Sequence, residues 1–401
     1  MSIKKISSFN FWLLYALPFA FFFCLSSLWV FNIIEKSQRI ELQAKLERGL
    51  TTFKYYSQSI ESIADFLQNN ENLKGKFIHI SKALDSLDLV MSKQERQDLS
   101  VYYEKLNMPH KDKIQFLKDQ KYDPISKKLH YLYIAKNPYA LGKKGLLDHA
   151  QDYSKYSQLH QGLHQQLSSV SRKFNFFDIL YVRKKDMRVI YSTEKSHDFA
   201  RPLNTNSYAA SPLAQSVKKV IETENRNASS FHKLSNNKEY QNNANTFISL
   251  PVKHEGELIG VLVLQLSIDS YVPIYKEMTL ADGEHMCWLD FSETVYGCDF
   301  NNDQLTFEGL AKLTSVQQAI LSVNGLIKEK GFTGNKVLSA YQNYNIWGND
   351  YVLVVQKSFK SIWLKFAEFM TISFISLLAT ICIGMLLKAI IRLPEQKFNS
   401  L

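Results

Sequence analysis

The sequence predicts an α+β protein: a membrane-anchored long helix followed by two tandem antiparallel-sheet modules, flanked by two apolar helices. Three observations carry this. An apolar seam with helical spacing runs from Leu46 to Leu67. From Phe176 the period changes to strand, strand, helix and three strands, and a smaller version of that order begins near His285. Two uncharged apolar runs, Phe9 to Ile34 and Phe369 to Leu387, bracket the rest.

The apolar runs come first. A helix crossing the hydrocarbon needs about 20 apolar residues, and both runs meet that. The first is too long for the apolar core of a secretory signal and has no small-x-small cleavage site after it, so it reads as an uncleaved anchor. The expected order is a cytoplasmic N-terminus (1–8), a first span (9–34), a stalk helix (35–70), a membrane-distal module with its helical lead-in (71–275), a membrane-proximal module (276–362), a second span (366–391) and a short cytoplasmic tail (392–401). Lysine and arginine flank both spans on both sides, and long loops translocate largely regardless of charge. Charge therefore does not set the orientation.

In the stalk, Leu46, Leu50, Phe53, Tyr56, Ile60, Ile63 and Leu67 are spaced by 4, 3, 3, 4, 3 and 4 residues, one face of a helix. Such a seam packs on its own domain or on a second copy; a homodimer through it is expected. Residues 70 to 130 continue with helical spacing. FFDILYVRKKDMRVIYST then reads as two strands around a Lys-Lys-Asp turn, SPLAQSVKKVIET as a helix and SSFHKL as a short strand. TFISLPVKHEGELIGVLVLQLSI is a hairpin turning at His254-Glu255-Gly256-Glu257. That order describes an antiparallel sheet with helices on one side. The Asn-rich residues 236 to 245 read as an exposed loop. In the second module HMCWLDFSETVYGCDF is a hairpin turning at Ser292-Glu293, LAKLTSVQQAILSVNGLIKE a helix followed by a loop, and KVLSAYQNY and YVLVVQKSF the closing strands. The reading is two PAS-like modules in tandem.

Cys24 and Cys382 lie inside the apolar runs, where thiols behave as small apolar groups. Cys287 and Cys298 fall opposite each other in the predicted hairpin, where Cα atoms stand about 4.5–5.5 Å apart, within disulfide range. A bridge there places the loop in an oxidising compartment; two reduced cysteines are the alternative. The net charge of +10 is spread over scattered lysines. No basic block with interleaved aromatics occurs, so nucleic acid is not an expected partner.

YLYIAKNP, GKKGLLD, DYSKYSQLHQGLHQQL, FFDILYV, VIYST, HDFARPL, SYAASPLAQ, TFISLPV and IGVLVLQLSID, in this order, resemble the double Cache extracytoplasmic sensory region of bacterial chemoreceptors, sensor histidine kinases and cyclases. The similarity covers roughly residues 125 to 275, and the architecture extends it to about 357. It implies a sensory membrane protein. In such receptors an output module follows the second span, whereas only IRLPEQKFNSL follows Ile390.

The chemical motifs are sparse. His160 and His164 stand four apart on a predicted helix near Asp148 and Asp152, a spacing that can hold zinc. The glutamate of H-E-x-x-H is missing, because Gln161 and Gly162 follow His160. Packing or a polar network is the preferred reading, with no metal and no cofactor. No phosphate loop, nucleophile elbow or CxxC occurs, and the chain is not expected to be an enzyme. Pockets combine an apolar lining with a few placed polar groups. Tyr131, Tyr133, Asp178, Tyr181, Tyr191, Asp198 and Tyr208 lie in segments expected to surround such a space. The Tyr, Arg, Trp, Tyr, Asp order of amino-acid-binding relatives is not evident.

The function expected is an inner-membrane, two-pass sensor with a periplasmic loop, taking a small-molecule ligand or an envelope state and signalling to a separate partner. An accessory interaction subunit and a truncated receptor are the alternatives.

Overall fold

The computed structural model describes residues 3–398 apart from 106–122, 141, 197, 206–207, 232–244, 267–269, 271–279, 291–294, 299–312 and 347–348. Several side chains, including those of 1–20 and 290–300, also lie outside the description. The predicted loop at 236–245 and the Ser292-Glu293 turn fall almost wholly in these stretches.

Helix α1 (Ile3–Asn69) is unbroken over 67 residues. It stops where Asn70 takes an extended conformation (φ −76°, ψ 104°) and its side chain accepts from Leu73 N, capping α2 (Glu71–Asp85). Helices α3 (Lys93–Lys105) and α4 (Pro124–His130) follow. After α4 the chain widens into a π-turn over Tyr131–Ala135, with Lys136 N donating to Tyr131 O at 2.8 Å. Helix α5 (Lys155–Phe174) then leads into the first sheet.

That sheet contains β1 (Asp178–Arg183), β2 (Arg188–Ser192), β3 (Asn227–Phe231), β4 (Asn245–His254) and β5 (Glu257–Leu266), in the order β2-β1-β5-β4-β3. The second has β6 (Glu284–Asp290), β7 (Val295–Cys298), β8 (Asn324–Lys330), β9 (Lys336–Ile346) and β10 (Asn349–Ser358), in the order β7-β6-β10-β9-β8. Every pairing is antiparallel, and the two orders are the same when strands are counted within each sheet. In each, a helix crosses from the second strand to the third: α6 (Pro212–Thr223) and α7 (Thr314–Leu321). Helix α8 (Phe359–Phe398) begins directly after β10.

One core joins the modules. The inner face of the first sheet (Ile179, Tyr181, Ile248, Leu262) and that of the second (Met286, Trp288, Leu353, Val355) share a single apolar cluster with Leu42, Leu46, Phe53, Ile60, Ala64 and Leu67 of α1. The outer faces make separate clusters, Leu180, Val182 and Val263 with Val217 of α6, and Val352 and Val354 with Val316 of α7.

Two expectations are corrected. Helices cover both faces of each sheet, not one: every residue of β1 and β2 is buried, and a strand covered on both sides reads as an unbroken apolar run. Residues 324–330 form a strand where a loop was expected. The Leu46 to Leu67 seam packs on the chain's own sheets, with Leu46, Phe53, Ile60 and Leu67 at most 4% exposed and Leu50, Tyr56 and Ile63 half-buried against the same core.

The apolar runs lie in the first part of α1 and within α8. No helix among the described residues is long and apolar enough to cross a membrane. The ladder sets Cys287 opposite Cys298, the register the hairpin reading required; the side chain of Cys298 is outside the description.

Because α1 closes both inner faces, Ile60→Ala is expected to destabilise the chain by about 2–5 kcal/mol, the usual cost of emptying a buried aliphatic site. Urea unfolding followed by circular dichroism checks this; an unshifted midpoint would remove Ile60 from the core.

Candidate functional site: a buried polar centre beside the first sheet

The site starts from one carboxylate. Asp178, the first residue of β1, is fully buried. Its Oδ1 accepts from Thr193 N (2.8 Å), Thr193 Oγ1 (2.7 Å) and Glu194 N (3.1 Å), and its Oδ2 accepts from Ser192 Oγ (2.6 Å). Burial pushes the Asp178 pKa up, and these donors oppose the rise. The carboxylate thus folds residues 192–195 into a hook, closed by Lys195 N donating to Ser192 Oγ at 2.7 Å. Lys195 sits at φ 58°, a left-handed conformation that long side chains rarely adopt.

That hook carries Lys195 inward. Only 2% of the residue is exposed, and its Nζ lies 3.4 Å from both His164 Nδ1 and the Thr193 carbonyl. Among the described residues no carboxylate comes within ion-pair distance of it. Helix α5 supplies the opposite wall. Ser154 caps it by accepting from Ser157 N, and His160 and His164 occupy successive turns of its buried face. His164 Nε2 donates to Gly145 O at 2.7 Å, so Nδ1 is the acceptor, facing the Tyr191 hydroxyl at 3.2 Å and Lys195. His160 Nδ1 donates to Asp148 O at 2.8 Å, and its Nε2 has no hydrogen-bond partner. Rings of Tyr133 and Tyr191 flank His160, with centroids at 4.5 and 5.2 Å.

The stretch YLYIAKNPYALGKKGLLDHAQDY forms the cover. Tyr133, in the π-turn, donates to Ser157 Oγ at 2.9 Å. Asn137 Nδ2 donates to the carbonyls of Tyr133 (2.8 Å) and Lys144 (3.0 Å), while Lys144 Nζ returns a bond to Asn137 O (3.0 Å). The strap then passes so close to the hook that a Cβ on Gly145 would stand 2.8 Å from Thr193 O; only glycine permits this approach.

The candidate ligand residues do not converge on one space. Tyr131, Tyr133, Tyr181 and Tyr191 belong to the inner-face core. Tyr181 is stacked on Phe77 at 3.9 Å, and a Cβ on Gly260 would meet its hydroxyl. Tyr208 packs with the outer-face cluster, under the Arg201 guanidinium at 4.9 Å. Asp198 is half-buried in the turn before Arg201. Two faces of one sheet separate these groups. Lys195 and Glu194 were missed at the sequence level, while His160 and His164 take the polar-network role expected of them. No group of three or more His, Cys, Asp or Glu side chains among the described residues is arranged to hold a metal ion.

Electrostatically the centre disfavours charge. Burial first, and then the Lys195 cation, lower His164 to about 4 and hold His160 well below its usual value. Burial also drives Lys195 down to about 7 and Glu194 up to about 8.

No family model matches the chain, and no curated protein matches it. Solved structures do. One is an extracellular ligand binding receptor from Desulfohalobium retbaense, at 12% identity and a TM-score of 0.34, covering 67% of this chain; this chain spans 41% of that one. Another is the extracellular domain of a protein described as a histidine kinase, vpHK1S-Z8, at 11% identity and TM-score 0.43, covering 81% and 97% of the two chains. A third is the periplasmic sensory domain of the Campylobacter jejuni chemoreceptor Tlp1, at 11% and 0.33, covering 73% and 92%. The architecture described above rests on this chain's own strands and helices.

Lys195 holds fewer protons in the folded chain than its usual pKa of 10.5 would give, so its contribution to stability rises with pH from about 7 upward. Glu194 acts oppositely, losing stability as pH rises from 4.5 through about 8. Lys195→Met is expected to stabilise the chain at pH 7 by about 1–3 kcal/mol, the cost of a poorly satisfied buried polar group. It should also abolish the rise above that pH. Thermal melts from pH 6 to 10 decide; an unchanged slope would place Lys195 in solvent.

Proposed function

We propose that the chain is a two-pass inner-membrane sensory protein of the double Cache type, with residues 71–275 and 276–362 as its distal and proximal periplasmic modules. The observation that carries this reading is continuity: α1 lines the cores of both modules, and β10 of the proximal module runs without a loop into α8. A change in either module therefore acts on the two helices that contain the apolar runs.

The sensing centre in this reading is the distal polar cluster of Tyr133, His160, His164, Tyr191 and Lys195. Tyr131, Asp178, Tyr181, Asp198 and Tyr208 serve as scaffold around it. A ligand or envelope condition that favours one arrangement of the strap over Lys195 shifts the population of states, with couplings of about 1–3 kcal/mol typical of such proteins. The readout passes to a separate partner. Cys287 and Cys298 are bridged in this reading, consistent with a periplasmic loop.

Three measurements test it. Alkaline phosphatase fused after residue 45 is expected to be active, and fused after residue 401 inactive; the reverse pattern would overturn the topology. Thermal melts of the full chain in detergent, without reductant, against amino acids, amines, carboxylates and purines are expected to give at least one hit. A ligand at 100 times its Kd adds about 2.7 kcal/mol. The shift should vanish in Lys195→Met, whereas a uniformly flat response from folded protein would sink the ligand-sensing reading. Non-reducing peptide mapping is expected to recover Cys287 and Cys298 in one linked species.

A further inference from the structure

The end of the proximal module from which α8 leaves gathers lysines that make no ion pair among the described residues. Ser358, the last residue of β10, pairs with Val337, and the residue before it in β9, Lys336, faces Lys330 across the ladder. Like charges directly opposite each other cost stability, and here both are exposed. Two residues earlier in β8, Lys328 bonds Glu35 of α1 at 2.9 Å and lies 5.1 Å over the Phe359 ring. This contact fixes the level of α1, so that Lys36 joins the same rim, and Lys360 and Lys365 follow in the first two turns of α8. Lys36, Lys330, Lys336, Lys360 and Lys365 are all exposed.

Nearby carboxylates are committed elsewhere. Glu35 binds Arg39 (2.8 Å) as well as Lys328, Glu41 binds Lys45 (2.9 Å), and Glu329 accepts from Ser315 N and Gln356 Nε2. Asp282 and Glu368 are the exposed acids at this end. Apolar groups adjoin the rim: Ile33, Trp363 and Leu364 are 46%, 55% and 55% exposed. A shallow depression of about 490 Å³ on α1 is lined by Ile33, Lys36, Ser37, Ile40 and Glu41, the last of these held by Lys45. Basic and apolar groups alternate along both helices here, the arrangement in which lysine heads reach a phosphate while their stems and the apolar neighbours meet the upper acyl chain.

We propose that Lys36, Lys330, Lys336, Lys360 and Lys365 form a collar that binds the headgroups of anionic phospholipids. The inference rests on the membrane-anchored reading above. It adds that the proximal module stands directly on the lipid surface and prefers negative headgroups there. The mutual repulsion of Lys330 and Lys336 is relieved when a phosphate sits between them.

The test uses the full chain in nanodiscs of mixed phosphatidylcholine and phosphatidylglycerol, with retained lipid counted by native mass spectrometry. The expected result is preferential retention of phosphatidylglycerol, falling by about fivefold for each collar lysine removed, as in Lys330→Ala with Lys336→Ala. The corresponding Lys→Arg pair should restore the preference, and thermal melts should show all variants folded. A chain that enters nanodiscs but retains both lipids equally, or keeps its preference in the alanine variant, overturns the collar alone. A chain that alkaline carbonate strips from membranes overturns the membrane-anchored reading, and the collar with it.

Discussion

The structure depends on one helix closing two sheets. Each sheet presents an inner face of aliphatic and aromatic side chains that cannot remain in water, and the same 26-residue stretch, Leu42 to Leu67, covers both. Burial of this kind contributes roughly 25 cal/mol per Å² of apolar surface, so neither module keeps its inner core without α1. The packing of Phe53 against Trp288, edge to face at 4.0 Å, shows how closely the stalk is held to the proximal sheet. At the base, a buried carboxylate reinforces this. Glu284 accepts from Lys45 of α1, from Lys357 of β10 at 2.8 Å and from Ala281 N at 2.8 Å. Burial works to raise its pKa, but the two lysines outweigh that and hold it below the usual range. Removing one member of such a group leaves an uncompensated buried charge, which is the expensive event.

The distal centre obeys the opposite logic. There Lys195 has no carboxylate within ion-pair distance among the described residues, and its neighbours are imidazoles and phenols. The proximal network is a set of opposite charges satisfied by one another, whereas the distal one suppresses charge altogether. An ammonium buried with only two long hydrogen bonds is retained at a cost in stability, and strain in the left-handed backbone of Lys195 adds to it. A scaffold built for stability alone would place an aliphatic residue there. Cost concentrated at one place, beneath a strap that only Gly145 lets close, is the physical reason to look for function at that place.

How much of this was legible in the sequence varied with how local the signal was. The β1–β2 and β4–β5 hairpins were readable because their turns, Lys-Lys-Asp and His-Glu-Gly-Glu, interrupt strong strand patterns. Strand β8 was not, since NGLIKEK opens with a turn-like Asn-Gly and alternates charge as an exposed edge strand does. The covering of both sheet faces was present in ILYV and LIGVLVLQL, whose unbroken apolar character distinguishes a doubly buried strand from a half-exposed one. The candidate site was legible by residue type only. Tyr133, Tyr191 and Asp178 were expected around a ligand space, and the structure buries all three; placing Tyr208 across the sheet from them requires knowing which face each strand residue presents. Lys195 left no local signal, because a lysine's burial is set by tertiary packing around it.

The position of β10 restricts how the protein can move. It is the central strand of its sheet, laddered along most of its length to β9 on one side and to β6 on the other, and α8 leaves its last residue without slack. Sliding α8 along its own axis would therefore drag a doubly bonded strand past both neighbours and break the two ladders together. That leaves α8 few degrees of freedom: it can tilt with the proximal sheet as a rigid body, or swivel about the junction between Ser358 and Phe359, but it cannot act as a piston.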